Sequence, residues 1–134
     1  MKVLLDTHIF IWWDSEPEKL SPNIFSLLQR TDTTRYVSVV SLWEIQIKNQ
    51  LGKLELNQSL ENIYNSQSKN GISFLPVIPA HVANLNNLPL HHKDPFDRML
   101  ISLALVEGLT LISVDKMFKL YNVPLFSSDF GLSV

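Results

Sequence analysis

Apolar positions fall into two patterns that take turns along the chain. Short runs rich in leucine, valine and isoleucine occur at Lys2–Leu5, Arg35–Val39, Ile72–Val77, Leu109–Val114 and Val123–Phe126. They have the length and composition of strands, and most are apolar throughout, as expected when helices cover both faces. Between them, His8–Trp13, Ser21–Arg30, Ser41–Leu51, Leu60–Lys69, Pro79–Leu85, Asp94–Glu107 and Lys116–Tyr121 read as helices. Val40, Trp43, Ile47 and Leu51 form one helical stripe, stopped by Gly52. Ser21-Pro22 and Asp94-Pro95 pair an N-cap residue with proline at the first helical position. Strands that alternate with helices predict an α/β domain around a central, mostly parallel sheet of these five strands.

Length changes the picture little: 134 residues without a repeat or low-complexity segment predict a single domain over 1–134. The absence of cysteine excludes a disulfide framework, a thiolate zinc site and a cysteine nucleophile. Asp6 and His8 interrupt the apolar start too early for a signal peptide, and no run approaches the ~20 apolar residues of a membrane span. The expectation is a cytoplasmic protein without membrane contact. A formal charge of −2 does not advertise a nucleic-acid binder. Cations held in an acidic pocket can bridge it to an acidic substrate, with Lys48, Lys53, Lys93, Arg98, Lys116 and Lys119 serving the rim.

Ligands of open α/β sheets bind beyond the carboxyl ends of the strands. Asp6 follows the first strand and Asp115 the fourth, so both open onto one edge. Asp97 lies in the first turn of the helix opened by Asp94-Pro95, and Glu44 lies on a polar stripe with Ser41 and Lys48. Each has a plain structural alternative. Asp6 and Asp115 suit helix N-caps, Asp94 and Asp97 suit a capping box, and Lys48 four residues on suits an ordinary partner for Glu44. As a set, carboxylates gathered this closely keep their charge only with cations, and hard oxygen donors select Mg²⁺ or Mn²⁺. Such ions support phosphodiester hydrolysis.

Leu4-Leu5-Asp6-Thr7-His8, Ser41-Leu42-Trp43-Glu44-Ile45, Leu51-Gly52-Lys53-Leu54, Asp94-Pro95-Phe96-Asp97-Arg98, Gly108–Asp115 and Val123-Pro124-Leu125 occur in an order that resembles the PIN-domain family. The likeness is nearest to VapC-type toxins of bacterial toxin–antitoxin pairs, and it runs colinearly from Val3 to about Phe126. It implies a three-layer fold with a five-stranded sheet and a pocket holding Mg²⁺ or Mn²⁺. Asp6, Glu44 and Asp97 match the family's principal acidic positions and Asp115 the more variable fourth. Thr7 and Ser113 match supporting hydroxyl positions. Further implied are cleavage of RNA to 5′-phosphate and 3′-hydroxyl ends, a homodimer, and silencing by an antitoxin whose C-terminal segment covers the groove. Residues 127–134 form an extension beyond the matched region.

In the mechanism these residues imply, Asp6, Asp97 and Glu44 hold the principal ion, and Asp115 binds a second ion or positions water. Arg98 is a phosphate-clamp candidate weighed equally against an ordinary surface arginine. His91 and His92 read as solvated loop residues, and His8 as packing near the site. Trp12, Trp13 and Trp43 read as core or interface packing rather than base stackers. Ile9–Trp13 with the Leu20–Leu28 helix is a candidate partner groove. Rival readings are a non-catalytic RNA- or protein-binding module, a housekeeping nuclease without antitoxin, and a phosphatase using Asp6 as nucleophile. The last is disfavoured by His8, where such enzymes carry a second aspartate.

Overall fold

A computed structural model describes residues 1–127 and the backbone of Gly131–Ser133. Five parallel strands, β1 (Lys2–Leu5), β2 (Thr34–Ser38), β3 (Ile72–Leu75), β4 (Thr110–Ile112) and β5 (Leu125–Ser127), lie in the order β3-β2-β1-β4-β5. A sixth strand, β6 (Gly131–Ser133), pairs antiparallel with β5 and closes that edge. Part of the expected C-terminal extension therefore joins the sheet; residues 128–130 and 134 lie outside the described residues.

Helices α1 (Thr7–Ser15), α2 (Pro22–Gln29), α3 (Val39–Gln50), α4 (Leu60–Lys69), α5 (Pro79–Asn84) and α6 (Pro95–Glu107) connect the strands. The period-2 pleat of β1 divides the core. Val3 and Leu5 pack with Ile9, Phe10, Ile24, Leu28, Ile45 and Ile63 on one face. Leu4 packs with Leu100, Ile101, Leu103 and Phe118 on the other. Helices on both faces give three layers, as the apolar strand runs predicted. Among the described residues, no helix is long and apolar enough to cross a membrane.

Several boundaries differ from the sequence reading for local reasons. Val39 and Val40 read as strand and helix edge, yet α3 starts at Val39, because the buried Ser38 hydroxyl accepts the Val40 N–H at 3.0 Å. Pro76 follows β3, which stops at Leu75. Lys116–Leu120 winds as a 3-10 helix rather than an α-helix, opened by Asp115. α6 ends as expected, with Gly108 in the left-handed conformation (φ 69°) and its N–H bonded to the Ala104 carbonyl.

The order of the strands sets the site. From β1 the chain winds outward through β2 to β3, then returns to place β4 on the other side of β1. The direction of winding switches between β1 and β4, and a crevice opens beyond their carboxyl ends.

Candidate active site

Asp6 leaves β1 at this switch point, and its backbone N–H still bonds to the Ile112 carbonyl of β4 at 3.0 Å. Its side chain turns inward and is only 4% exposed. One carboxylate oxygen caps α1 by accepting the Ile9 N–H at 2.8 Å, and the other accepts the Ser113 hydroxyl at 2.5 Å. The cap and the site are thus one geometry: capping fixes the carboxylate that faces the crevice. Ser113 in turn accepts the Asp115 N–H at 3.0 Å, so one hydroxyl ties the ends of β1 and β4 together. Asp115 is exposed and caps the following 3-10 helix through the Met117 N–H at 2.9 Å.

Glu44 enters from α3 and is also buried. Thr7 Oγ1 lies 2.6 Å from Glu44 Oε1 and 2.9 Å from Ser41 Oγ. The Thr7 proton goes to the carboxylate, which only accepts, and Ser41 donates to Thr7. The second Glu44 oxygen takes the Lys48 ammonium at 2.7 Å, one helical turn on. Asp97 enters from α6. Its N–H caps onto Asp94 Oδ1 at 3.0 Å, leaving its own carboxylate to receive His92 Nε2 at 2.7 Å. Ligand atoms of His92, Asp97 and Asp115 lie within 4.8 Å of one another.

The electrostatics join these groups. Burial pushes the Asp6 carboxyl up to about 6, against the Ser113 and Ile9 hydrogen bonds, and Asp115 and Glu44 push the same way. Burial also pushes Asp97 up to about 6, against its His92 bond, with Asp94, Asp6 and Glu44 adding repulsion. The four carboxylates singled out by sequence therefore share one electrostatic neighbourhood. At neutral pH Asp6 and Asp97 are ionised at a cost. The ammonium bonded within this set is that of Lys48, on Glu44. Oxygen donors in excess of bound positive charge, joined by one imidazole, fit a hard divalent cation.

Thr7 and Ser113 each donate a hydroxyl to a buried carboxylate, Glu44 and Asp6 respectively. Arg98 is otherwise engaged. Its guanidinium donates to the Pro89 carbonyl at 2.8 Å, the Tyr121 hydroxyl at 3.2 Å and the Leu85 carbonyl at 3.3 Å, which pins the segment leading into the site. These three bonds occupy Nη1 and one Nη2 hydrogen of the five guanidinium donors. His92, read as solvated, is half-buried and bonded to Asp97; His91 stays exposed against the Tyr121 ring. Tyr121 fixes this loop by accepting the His92 N–H at 2.8 Å from 29 positions away, a contact that no local pattern announces.

Of the tryptophans, Trp13 packs between Phe25 and the Arg35 guanidinium. Trp12 is half-buried against the core, whereas Trp43 is 61% exposed with its ring edge-on to Phe96. Ile9 and Phe10 are core residues, so the candidate partner surface on this side narrows to Pro17, Leu20, Pro22 and Phe25, around a cleft of about 430 Å³.

Known proteins share this fold. Ribonuclease VapC22 of Mycobacterium tuberculosis is 24% identical over 123 residues, covering 91% of this chain and 93% of the relative. The fold matches VapBC2 from Rickettsia felis bound to a DNA fragment from its promoter, with TM-score 0.71 at 16% identity over 95% of this chain and 98% of that one. It also matches DNA-bound VapBC from Salmonella typhimurium, with TM-score 0.67 at 13% identity over 96% and 98%. The sequence profile of the PIN domain spans residues 3–124, from the first residues of β1 to the threshold of β5. On that match over nearly the whole chain, the protein belongs to the PIN-domain family.

Proposed function

We propose that this chain is a divalent-metal-dependent endoribonuclease, acting in the cytoplasm as the toxin of a toxin–antitoxin pair, and that residues 1–134 form one catalytic domain. The observation that supports this reading is the mutual repulsion that joins Asp6, Glu44, Asp97 and Asp115 beyond the carboxyl ends of β1 and β4, with His92, Asp97 and Asp115 within ligand distance of one another. Asp6, Glu44 and Asp97 hold the principal Mg²⁺ or Mn²⁺, and Asp115 serves a second ion or positions water. When bound, the cation supplies charge neutralisation and Lewis acidity toward a phosphate oxygen and the attacking water.

The chain's own residues supply position. Ser113 and the α1 backbone hold both oxygens of Asp6. Thr7 and Lys48 hold both oxygens of Glu44, and His92 holds Asp97. Held carboxylates need no rearrangement when charge shifts during the reaction. Water oxygen bonds to phosphorus in line, the P–O3′ bond breaks, and the leaving oxygen takes a proton, giving 5′-phosphate and 3′-hydroxyl ends.

The toxin assignment rests on VapC22, a ribonuclease by name, and on the VapBC complexes that share the fold. A cognate antitoxin and a second copy of the chain are the protein partners. The apolar cleft at Leu20, Pro22 and Phe25 offers surface of the kind such a partner covers.

The test is incubation of the purified protein with a mixed RNA pool, with and without Mg²⁺ or Mn²⁺, beside Asp6→Asn and Asp97→Asn. Metal-dependent cleavage that both folded variants lose supports the assignment. A folded wild type that neither cleaves RNA nor binds Mn²⁺ leaves a binding module on the PIN scaffold.

A further inference from the structure

Among the described residues, the ligand atoms that close into one group are those of His92, Asp97 and Asp115, within 4.8 Å of one another, and neither Asp6 nor Glu44 belongs to it. The three come from separate segments: the loop before α6, the first turn of α6 and the end of β4. Each backbone is held from behind. The His92 N–H donates to the Tyr121 hydroxyl at 2.8 Å, and the Arg98 guanidinium donates to that same hydroxyl at 3.2 Å. The Asp97 N–H is tied to Asp94 at 3.0 Å and the Asp115 N–H to Ser113 at 3.0 Å. His92 Nε2 and Asp97 Oδ2 lie 2.7 Å apart, both on half-buried side chains. Two donors each about 2.1 Å from one ion, at right angles, lie about 3 Å apart, so this pair already has nearly the spacing of adjacent ligands.

We propose that His92 is itself a metal ligand, and that with Asp97 and Asp115 it forms a nitrogen-containing second ion site that takes Zn²⁺ or Co²⁺ in preference to Mg²⁺. This deepens the metal-dependent reading and rests on it only for the principal ion, with which the site shares Asp97. The donor types set the preference. Mg²⁺ is a hard ion that keeps oxygen ligands and water, whereas an imidazole nitrogen favours the borderline transition ions. One imidazole and two carboxylates make three protein donors, and the exposed side of Asp115 leaves a further position to solvent, the pattern of an open zinc site. The ion takes the place of the proton that now bridges Nε2 and Asp97, and the ring keeps one proton on Nδ1. A hydrogen-bonding role alone explains the contact with Asp97 but not the presence of Asp115 at ligand distance from the same imidazole. With Mg²⁺ alone, His92 stays a support of Asp97.

The test is a Zn²⁺ titration of the full chain, labelled with ¹⁵N in its histidine rings, in excess Mg²⁺ and read by NMR. The chain has four histidines, so every ring can be followed. One equivalent of Zn²⁺ is expected to shift His92 Nε2 and to leave His8, His81 and His91 in place. Affinities follow from chelator competition for Zn²⁺ and calorimetry for Mg²⁺. His92→Gln is expected to lower Zn²⁺ affinity at least about a hundredfold, as loss of a ligand, and Mg²⁺ affinity about tenfold, as loss of a support. His91→Gln, one residue away, changes neither. Equal losses for the two ions reduce His92 to a support of Asp97 and overturn the proposal. Zn²⁺ uptake with the His92 ring unmoved, or with His8 or His91 shifted in its place, also overturns it, and this wild-type spectrum decides even where the variant fails to fold. Failure of the ribonuclease reading looks different: no RNA cleavage in Mg²⁺ or Mn²⁺, with Zn²⁺ still bound at His92.

Discussion

Helix α6 carries a histidine–carboxylate pair at each end, and the two pairs are close in length but opposite in character. At its C-terminal end, His81 Nε2 lies 2.9 Å from Glu107. The other His81 nitrogen accepts the Ile78 N–H at 3.0 Å, so Nε2 carries the proton and the ring is fully committed. At its first turn, His92 Nε2 lies 2.7 Å from Asp97, but there Asp94, Asp6 and Glu44 repel the same carboxylate and Asp115 lies within ligand distance. A histidine beside a carboxylate is a strut when both ring nitrogens are used and, among the described residues, no third ligand group gathers with it. Among crowded carboxylates the same pair is part of a site.

The most severe way to break this contrast is to remove a carboxylate from the crowded end. Asp6→Asn is expected to lower RNA cleavage by at least about a hundredfold, because on the proposed reading it removes a ligand rather than a ligand's support, whose loss costs about 10–100-fold. It is also expected to raise the thermal midpoint of the metal-free protein at pH 7. Relief of an ionised buried group explains that sign, and a melt in EDTA reads it.

The pH dependence of stability follows from the same groups. Asp6 and Asp97 hold their protons up to about 6 in the folded protein, against an ordinary 3.8. Between these values the folded state binds more protons than the unfolded one, so stability falls as pH rises from about 4 to about 6 and then levels. For the buried Asp6 the loss is on the order of 2–3 kcal/mol. Urea melts in EDTA at pH 4.5 and pH 7 measure it; a metal-free protein more stable at pH 7 contradicts the assignment.

Smaller changes sharpen the comparison of the two histidines. His92→Ala is expected to lower cleavage about tenfold and to move the acid limb of the rate profile to higher pH, since Asp97 loses the bond that lowers its proton affinity. His81→Ala is expected to cost about 2–3 kcal/mol of stability while leaving cleavage per folded molecule unchanged. The smallest effect belongs to Arg98→Ala. It frees the Leu85 and Pro89 carbonyls and costs about 1–2 kcal/mol, with kcat little altered. A large rise in KM without loss of stability identifies Arg98 as a phosphate contact.

Sequence position made much of this readable. Apolar runs that end in Asp6 and Ser113–Asp115 give the strand ends and hence the edge on which a ligand sits. Asp94-Pro95 marks the start of α6 and so the first-turn place of Asp97. What stayed hidden depends on contacts distant in sequence. Tyr121 fixes the His92 loop, Leu85 and Pro89 take up Arg98, and Thr7 bridges Ser41 and Glu44 across 34 and 37 positions. Two β-branched residues obscure the serine cap that starts α3, and β6 goes unannounced because a short antiparallel return carries no period of its own.

The central claim is that the buried charge at the sheet edge is completed by a divalent cation, and Mn²⁺ titration at pH 7 followed by thermal melting tests it most directly. The account predicts that Mn²⁺ binds the wild type and raises its midpoint, while the Asp6→Asn, Asp97→Asn double variant melts high in EDTA and gains nothing from the ion. A wild type that takes up no Mn²⁺ and melts identically with and without it contradicts the account.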